Sequence, residues 1–174
     1  MAGVAFAPGD AQAASLTQAQ RDAMTPDQVI DMMKRGNARF RAGKPQKHDY
    51  LAQKRSSALG QFPAAVILSC IDSRAPAEII LDTGIGETFN GRIAGNISNN
   101  DLLGSMEFAC AAAGAKVILV MGHTACGAVA AGARPIFDQL DRRVGVAHAE
   151  AALGGLLDLV DPLGSCGGRR SRDR

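Results

Sequence analysis

Two largely apolar runs decide the fold. One is Ala64-Ala65-Val66-Ile67-Leu68-Ser69, which ends at Cys70; the other is Lys116-Val117-Ile118-Leu119-Val120-Met121, which delivers the chain to Gly122-His123-Thr124-Ala125-Cys126-Gly127. Short, continuous apolar segments of this kind read as strands buried on both faces, as in a parallel sheet. Between them, Asp101 can cap a helix through Leu102, Leu103, Met106 and Ala109, with Gly114 as its stop and Cys110 as a small buried residue near its end. Strand, helix, strand in this order predicts an α/β domain, a parallel β-sheet core flanked by helices. Functional groups of such sheets collect at the carboxyl ends of the strands, where both Cys70 and His123 fall.

Working outward, Pro76 to Leu81 is a short helix candidate and Gly84-Ile85-Gly86 a turn, too brief a glycine pattern for a dinucleotide fingerprint. Thr88 to Ile93 has strand character, although Asn90-Gly91 in its middle reads as a turn. Upstream, Thr25-Pro26-Asp27-Gln28 forms a capping box with proline at the first helical position. Val29, Met32, Met33, Gly36 and Phe40 follow at helical spacing, and Gly43 terminates. Residues 44–60 read as an exposed connection in which His48 is a solvated side chain. Downstream, Ala147 to Leu163 is a helix candidate with Leu153, Leu156, Leu157 and Val160 on one side, and no buried strand follows it. The expected organisation is an N-terminus over 1–24, a single α/β domain over 25–164, and a Gly/Arg-rich tail over 165–174, with His148 on the surface and Cys166 incidental. The first segment is either disordered or the remnant of an export signal, since Ala11-Gln12-Ala13 resembles a cleavage site; cytoplasm and periplasm both stay open.

The chain has 174 residues, of which 47% are hydrophobic and 21% charged, the balance of a globular domain with a real core. No apolar run approaches the roughly 20 residues that cross a bilayer, so a membrane-spanning role is excluded. The net charge of +2 comes from the terminal arginines 169, 170, 172 and 174; the body of the chain is not basic, and there is one Tyr and no Trp. Neither phosphate neutralisation nor base stacking is provided for, which argues against nucleic acid as a partner. Four cysteines are too few for a disulfide scaffold, leaving metal binding, catalysis or core burial.

Adjacent parallel strands would bring the ends carrying Cys70 and His123 together, and Cys126 follows His123 by three residues. Two thiolates and an imidazole suit Zn²⁺, and three protein ligands leave one position open, as in catalytic sites. Asp72 can fill that position in a closed state or accept a hydrogen bond from a water there, and the fork of Arg74 can hold the Asp72 carboxylate in one orientation. Singly, each feature has a plainer explanation: a buried thiol, a histidine at a strand end, a structural ion pair. Co-location at two strand ends is what favours the metal.

The same residues resemble the β-class carbonic anhydrases. The resemblance rests on Cys70-Ile71-Asp72-Ser73-Arg74 and on Gly122-His123-Thr124-Ala125-Cys126-Gly127-Ala128. It is extended by Gly36-Asn37-Ala38-Arg39-Phe40, Arg92-Ile93-Ala94-Gly95-Asn96 and Gly104-Ser105-Met106-Glu107-Phe108, and it covers about Thr25 to Ala133. It implies zinc on Cys70, His123 and Cys126, Asp72 and Arg74 as a catalytic dyad, and reversible hydration of carbon dioxide to bicarbonate. It further implies Gln61 as a substrate-binding pocket residue and a homodimer or higher homo-oligomer with the pocket at the subunit interface. Hydrolysis of carbonyl sulfide or carbon disulfide on the same scaffold, and a shortened non-catalytic zinc-binding protein, are the alternatives. Two departures from the family pattern stand out. Asn90-Gly91 interrupts what is otherwise an unbroken strand, and the sheet is expected to lack its last parallel strand, leaving an edge for a partner chain to cover.

Overall fold

The computed structural model describes residues 11–132 and the short strand 162–165. In chain order the elements are α1 (Gln18–Ala23), α2 (Pro26–Arg41), α3 (Tyr50–Ser56), β1 (Ala65–Ser69), α4 (Ala77–Ile80), β2 (Thr88–Arg92), α5 (Asn100–Glu107), β3 (Val117–Met121), α6 (Gly127–Gly132) and β4 (Pro162–Ser165). The sheet order is β2-β1-β3-β4, with β1 parallel to both β2 and β3. The two apolar runs are therefore the central pair, as their lack of polar alternation requires. All five residues of β1 are buried. Ala65 and Ile67 pack with Val117, Leu119 and Met121 against α2 and α4 through Val29, Met33, Ile80 and Leu81, whereas Val66 faces Ala109 and Ala115 at the end of the α5 segment.

Register places the functional edge. Ser69 of β1 is level with Arg92 of β2 and with Met121 of β3. Three loops, beginning at Cys70, Ile93 and Gly122, thus leave the sheet side by side.

Local signals act as expected at α2. Thr25 Oγ1 accepts from the Gln28 N–H at 3.2 Å, and Gln28 Oε1 accepts from the Thr25 N–H at 2.8 Å. The motif starting at Gly36 docks α2 onto the end of α4. A Cβ on Gly36 would stand 1.8 Å from the Leu81 carbonyl oxygen, so only glycine permits this approach. Asn37 Nδ2 donates to the Ile80 carbonyl at 3.1 Å, and Arg39 Nε donates to Asp82 Oδ2 at 2.5 Å. Helix α5 starts slightly earlier than expected, with Asn99 rather than Asp101 as its cap, and its last turn widens to a π-turn over Phe108–Ala112 before Gly114.

Four expectations are corrected. Asn90-Gly91 is not a turn: both residues continue β2, opposite Ile67 and Leu68. As β2 pairs with β1 alone among the described residues it is an edge strand there, where an exposed Asn is tolerated, and the missing side chain of Gly91 admits Leu102, whose Cδ2 would be 3.2 Å from a Cβ there. His48 is not solvated. Its side chain is 5% exposed, with Nε2 3.3 Å from Asp82 Oδ1 and Nδ1 3.2 Å from Gln53 Nε2, because Gln12 pairs with His48 as an isolated bridge and covers it. Residues 11–24, set apart from the domain on composition, are built onto it. Leu16 and Met24 pack on the core, and buried Arg21 donates to the Ala113 carbonyl. Finally, the sheet has no further parallel strand among the described residues, yet the edge of β3 is not bare: the four-residue β4 pairs with it in antiparallel fashion. The readings for His148, Cys166 and most of the 147–163 helix candidate lie outside the described residues.

Candidate metal centre

β1 ends inside the core and presents Cys70, 4% exposed, at its rim. From there the chain turns outward, with the Ala75 N–H returning to the Asp72 carbonyl at 3.1 Å before Pro76 caps α4. This turn fixes Asp72 and Arg74 as a pair. Asp72 Oδ1 accepts from the Arg74 backbone N–H at 2.9 Å and from Nε at 3.0 Å, and Oδ2 accepts from Nη2 at 2.8 Å. Those hydrogen bonds, with the guanidinium charge added, hold the Asp72 carboxyl well below the usual carboxylate range, and the carboxylate in turn raises the Arg74 pKa. Arg74 itself is 71% exposed, whereas the Asp72 side chain is 15% exposed.

β3 delivers the other half. After Met121 the chain bends at Ala125, whose φ of +53° is left-handed, a conformation costing a non-glycine residue about 1–2 kcal/mol. The bend brings Cys126 back toward Cys70 at the start of α6. Left-handed backbone held by its surroundings is characteristic of functional sites.

The outcome is a convergence of Cys70, His123 and Cys126, whose ligand atoms all lie within 4.8 Å of one another. Cys70 Sγ and Cys126 Sγ are 3.8 Å apart. Two thiolates on a tetrahedral ion with bonds of about 2.3 Å would stand about 3.8 Å apart, so this spacing already fits a shared ion. His123 supports the fit. Its Nδ1 stands 3.1 Å from the Thr124 carbonyl, which assigns the proton to Nδ1 and leaves the Nε2 lone pair for a ligand. Nε2 is buried and has no hydrogen-bond partner among the described residues, a costly arrangement for a polar atom unless an ion completes it.

Burial alone would push the Cys70 thiol up. Instead the Gly95 N–H at 3.4 Å, His123, the Asp72 backbone N–H and Cys126 outweigh it and bring Cys70 down to about 7. Thiolate character is what a metal ligand needs.

Asp72 stands beside this group rather than in it. Its Oδ2 is 3.8 Å from His123 Nδ1, and its carboxylate is turned to Arg74. Five of the six residues singled out in the sequence, Cys70, Asp72, Arg74, His123 and Cys126, are thereby brought to one edge. Gln61 is not. It is exposed and lies ahead of β1, at the amino end of the sheet, with the whole strand, about 16 Å of extended chain, between it and Cys70.

Two residues of the Arg92–Asn96 motif, to which the sequence reading assigned no role, also belong here. Arg92 Nε donates to the Cys70 carbonyl at 2.9 Å, and Asn96 Nδ2 donates to the Met121 carbonyl at 2.9 Å. The available signal was the Gly95-Asn96 pair, two residue types that tolerate left-handed backbone, directly after a strand.

Comparison with known proteins agrees with this picture. A family model described as carbonic anhydrase matches residues 65–152. Carbonic anhydrase 2 of Mycobacterium tuberculosis (strain H37Rv) is 45% identical over 107 residues, 61% of this chain and 52% of that protein. The carbonic anhydrase of Mycolicibacterium smegmatis is 44% identical over 100 residues, 57% of this chain and 48% of that protein. Among solved structures, a tetrameric β-carbonic anhydrase of Sordaria macrospora is similar at 35% identity and a TM-score of 0.43, covering 52% of this chain and 45% of that one. The chain spans about half the length of the curated relatives it matches.

Proposed function

Because the chain belongs to the β-class carbonic anhydrase family, we propose that it catalyses the reversible hydration of carbon dioxide to bicarbonate and a proton, with zinc held by Cys70, His123 and Cys126. One observation carries this: two sulfurs at tetrahedral spacing and an unpartnered buried imidazole nitrogen meet beside an ionised aspartate that is not itself in the group. The donor set of two thiolates and one imidazole is that of zinc, and three ligands leave a position for the reaction. When bound, zinc supplies Lewis acidity, lowering the pKa of water to about 7 and so making a nucleophile available at neutral pH.

The chain's own residues then have distinct tasks. Asp72 Oδ2, on the His123 side of its carboxylate, accepts a hydrogen bond from the attacking water and so aims the water's lone pair at the substrate. Arg74 keeps that carboxylate ionised and stops it from rotating into the ligand group, which would shut the site. Gln61, at the opposite end of β1, serves as a substrate-binding residue only if a second copy of the chain presents it, so the active form is a homodimer or larger assembly.

The test is stopped-flow carbon dioxide hydration on protein whose zinc has been quantified. The expected result is one zinc per chain and hydration that is lost with a chelator and regained with zinc. Zinc-loaded protein that releases hydrogen sulfide from carbonyl sulfide without hydrating carbon dioxide would overturn the substrate; stoichiometric zinc with neither activity would leave a binding protein.

A further inference from the structure

β2 supplies no member of the Cys70–His123–Cys126 group, yet the chain leaving it touches both strand ends that do. Resting on the metal reading above, we propose that Arg92 is a positioning residue for the centre, locking the Cys70–Arg74 loop to the sheet by gripping two of its carbonyl oxygens. Its Nε donates to the Cys70 carbonyl at 2.9 Å and its Nη2 to the Asp72 carbonyl at 2.6 Å. These carbonyls belong to the first metal-ligating residue and to the hydrogen-bond acceptor for the attacking water. A planar guanidinium can bridge them in one fixed geometry, whereas an ammonium acts as a single point donor.

The surroundings favour this role over a purely structural one. Arg92 is exposed, so it contributes little to the core, and among the described residues it pairs with no carboxylate; its partners are the two carbonyls. Register sets its position, because Arg92 is level with Ser69, the residue before Cys70. The chain that follows completes the clamp. Gly95 (φ +68°) and Asn96 (φ +58°) are successive left-handed residues. This turn aims the Gly95 N–H at Cys70 Sγ, 3.4 Å away, and sends Asn96 Nδ2 to the Met121 carbonyl, two residues before His123. Residues 92–96 therefore hold both ligand-bearing ends at once, through hydrogen bonds to backbone and sulfur rather than through metal bonds. Groups of this kind orient ligands and tune the affinity of the centre they surround.

The proposal is tested on the full chain by comparing wild type, Arg92→Ala and Arg92→Lys in three measurements: zinc affinity by competition with a chromophoric chelator, the visible spectrum of the cobalt(II)-substituted protein, and the urea midpoint of the metal-free protein. Wild type tests the metal reading by itself: failure to bind either ion there would sink that reading and this proposal with it, whereas the variants bear on this proposal alone. With wild type binding, Arg92→Ala is expected to weaken zinc by about 10- to 100-fold and to shift or broaden the cobalt bands, with the metal-free midpoint little changed. Arg92→Lys is expected to restore only part of both, because it reaches one carbonyl. Wild-type affinity and spectrum in Arg92→Ala would overturn the proposal, as would an affinity loss no larger than its loss of metal-free stability explains. If Arg92→Ala does not fold, Arg92→Lys decides: a shifted cobalt spectrum and weakened affinity support the clamp, and wild-type values for both refute it.

Discussion

Gly36→Ala is expected to destabilise the protein even though alanine is the better helix former. A Cβ at this position would lie 1.8 Å from the Leu81 carbonyl oxygen and 2.8 Å from its carbon, both backbone atoms that cannot rotate away. Contacts under 3.0 Å are essentially never adopted by real Cβ atoms, so α2 and α4 must separate by about 1.2 Å. That movement stretches the bond from Asn37 Nδ2 to the Ile80 carbonyl beyond its present 3.1 Å and loosens the contact of Val29 and Met33 with the sheet. An unsatisfied buried carbonyl costs about 1–3 kcal/mol and a strained core a further 1–3 kcal/mol or so. The helix-propensity gain offsets only about 1 kcal/mol of this. The net expectation is a loss of about 1–5 kcal/mol, read from the midpoint of urea unfolding. Gly104 is the control with the opposite sign: it lies within α5 with nothing within 4 Å of its would-be Cβ, so Gly104→Ala should stabilise by up to about 1 kcal/mol. A Gly36→Ala protein as stable as wild type would refute the close-approach account of α2 docking.

Cys126→Ser should abolish stoichiometric zinc, whereas Asp72→Ala should keep it and lose at least about 100-fold in turnover, a typical worth for a positioned side chain; metal analysis beside stopped-flow rates separates the two, and zinc retained in the serine variant would remove that sulfur from the ligand set. Zinc affinity should also carry the signature of Cys70. Its folded pKa is lowered to about 7, so above that pH the sulfur is already a thiolate and binding carries no proton cost for it, whereas as pH falls through 7 protons compete with the metal for the sulfur. Chelator competition between pH 6 and 9 should therefore show the affinity losing an additional factor of about ten per pH unit below 7; one unbroken slope across that range would contradict it.

The central strands, the α2 capping box and the meeting of Cys70, His123 and Cys126 at one sheet edge were legible because each is a local signal or a short-range consequence of one. Continuous apolar runs admit few alternatives once they are short and end in Cys or Gly-His. The polar layer was not legible. His48 is buried because Gln12, thirty-six residues earlier, bridges to its backbone while Asp82 and Gln53 satisfy its ring, and no local pattern announces such a long-range pairing. Asn90-Gly91 failed for a related reason. A turn dipeptide becomes strand when its partner is already fixed in register and its polar side chain faces an open edge. Likewise, nothing in the spacing of Arg92 tells where its guanidinium goes; that depends on Ser69 lying opposite it.

Register is also what couples the core to the chemistry. In β3, Val117, Leu119 and Met121 are buried on the α2 side while Ile118 and Val120 are half-buried on the other. A slip of one residue against β1 would exchange these faces and move His123 by about 3.3 Å along the strand. That distance is nearly the whole 3.8 Å between the two sulfurs, so a slipped sheet could not form the ligand group. Register therefore decides both which residues face α2 and whether three donors can meet, and the clamp proposed from β2 acts within a frame the core has already set.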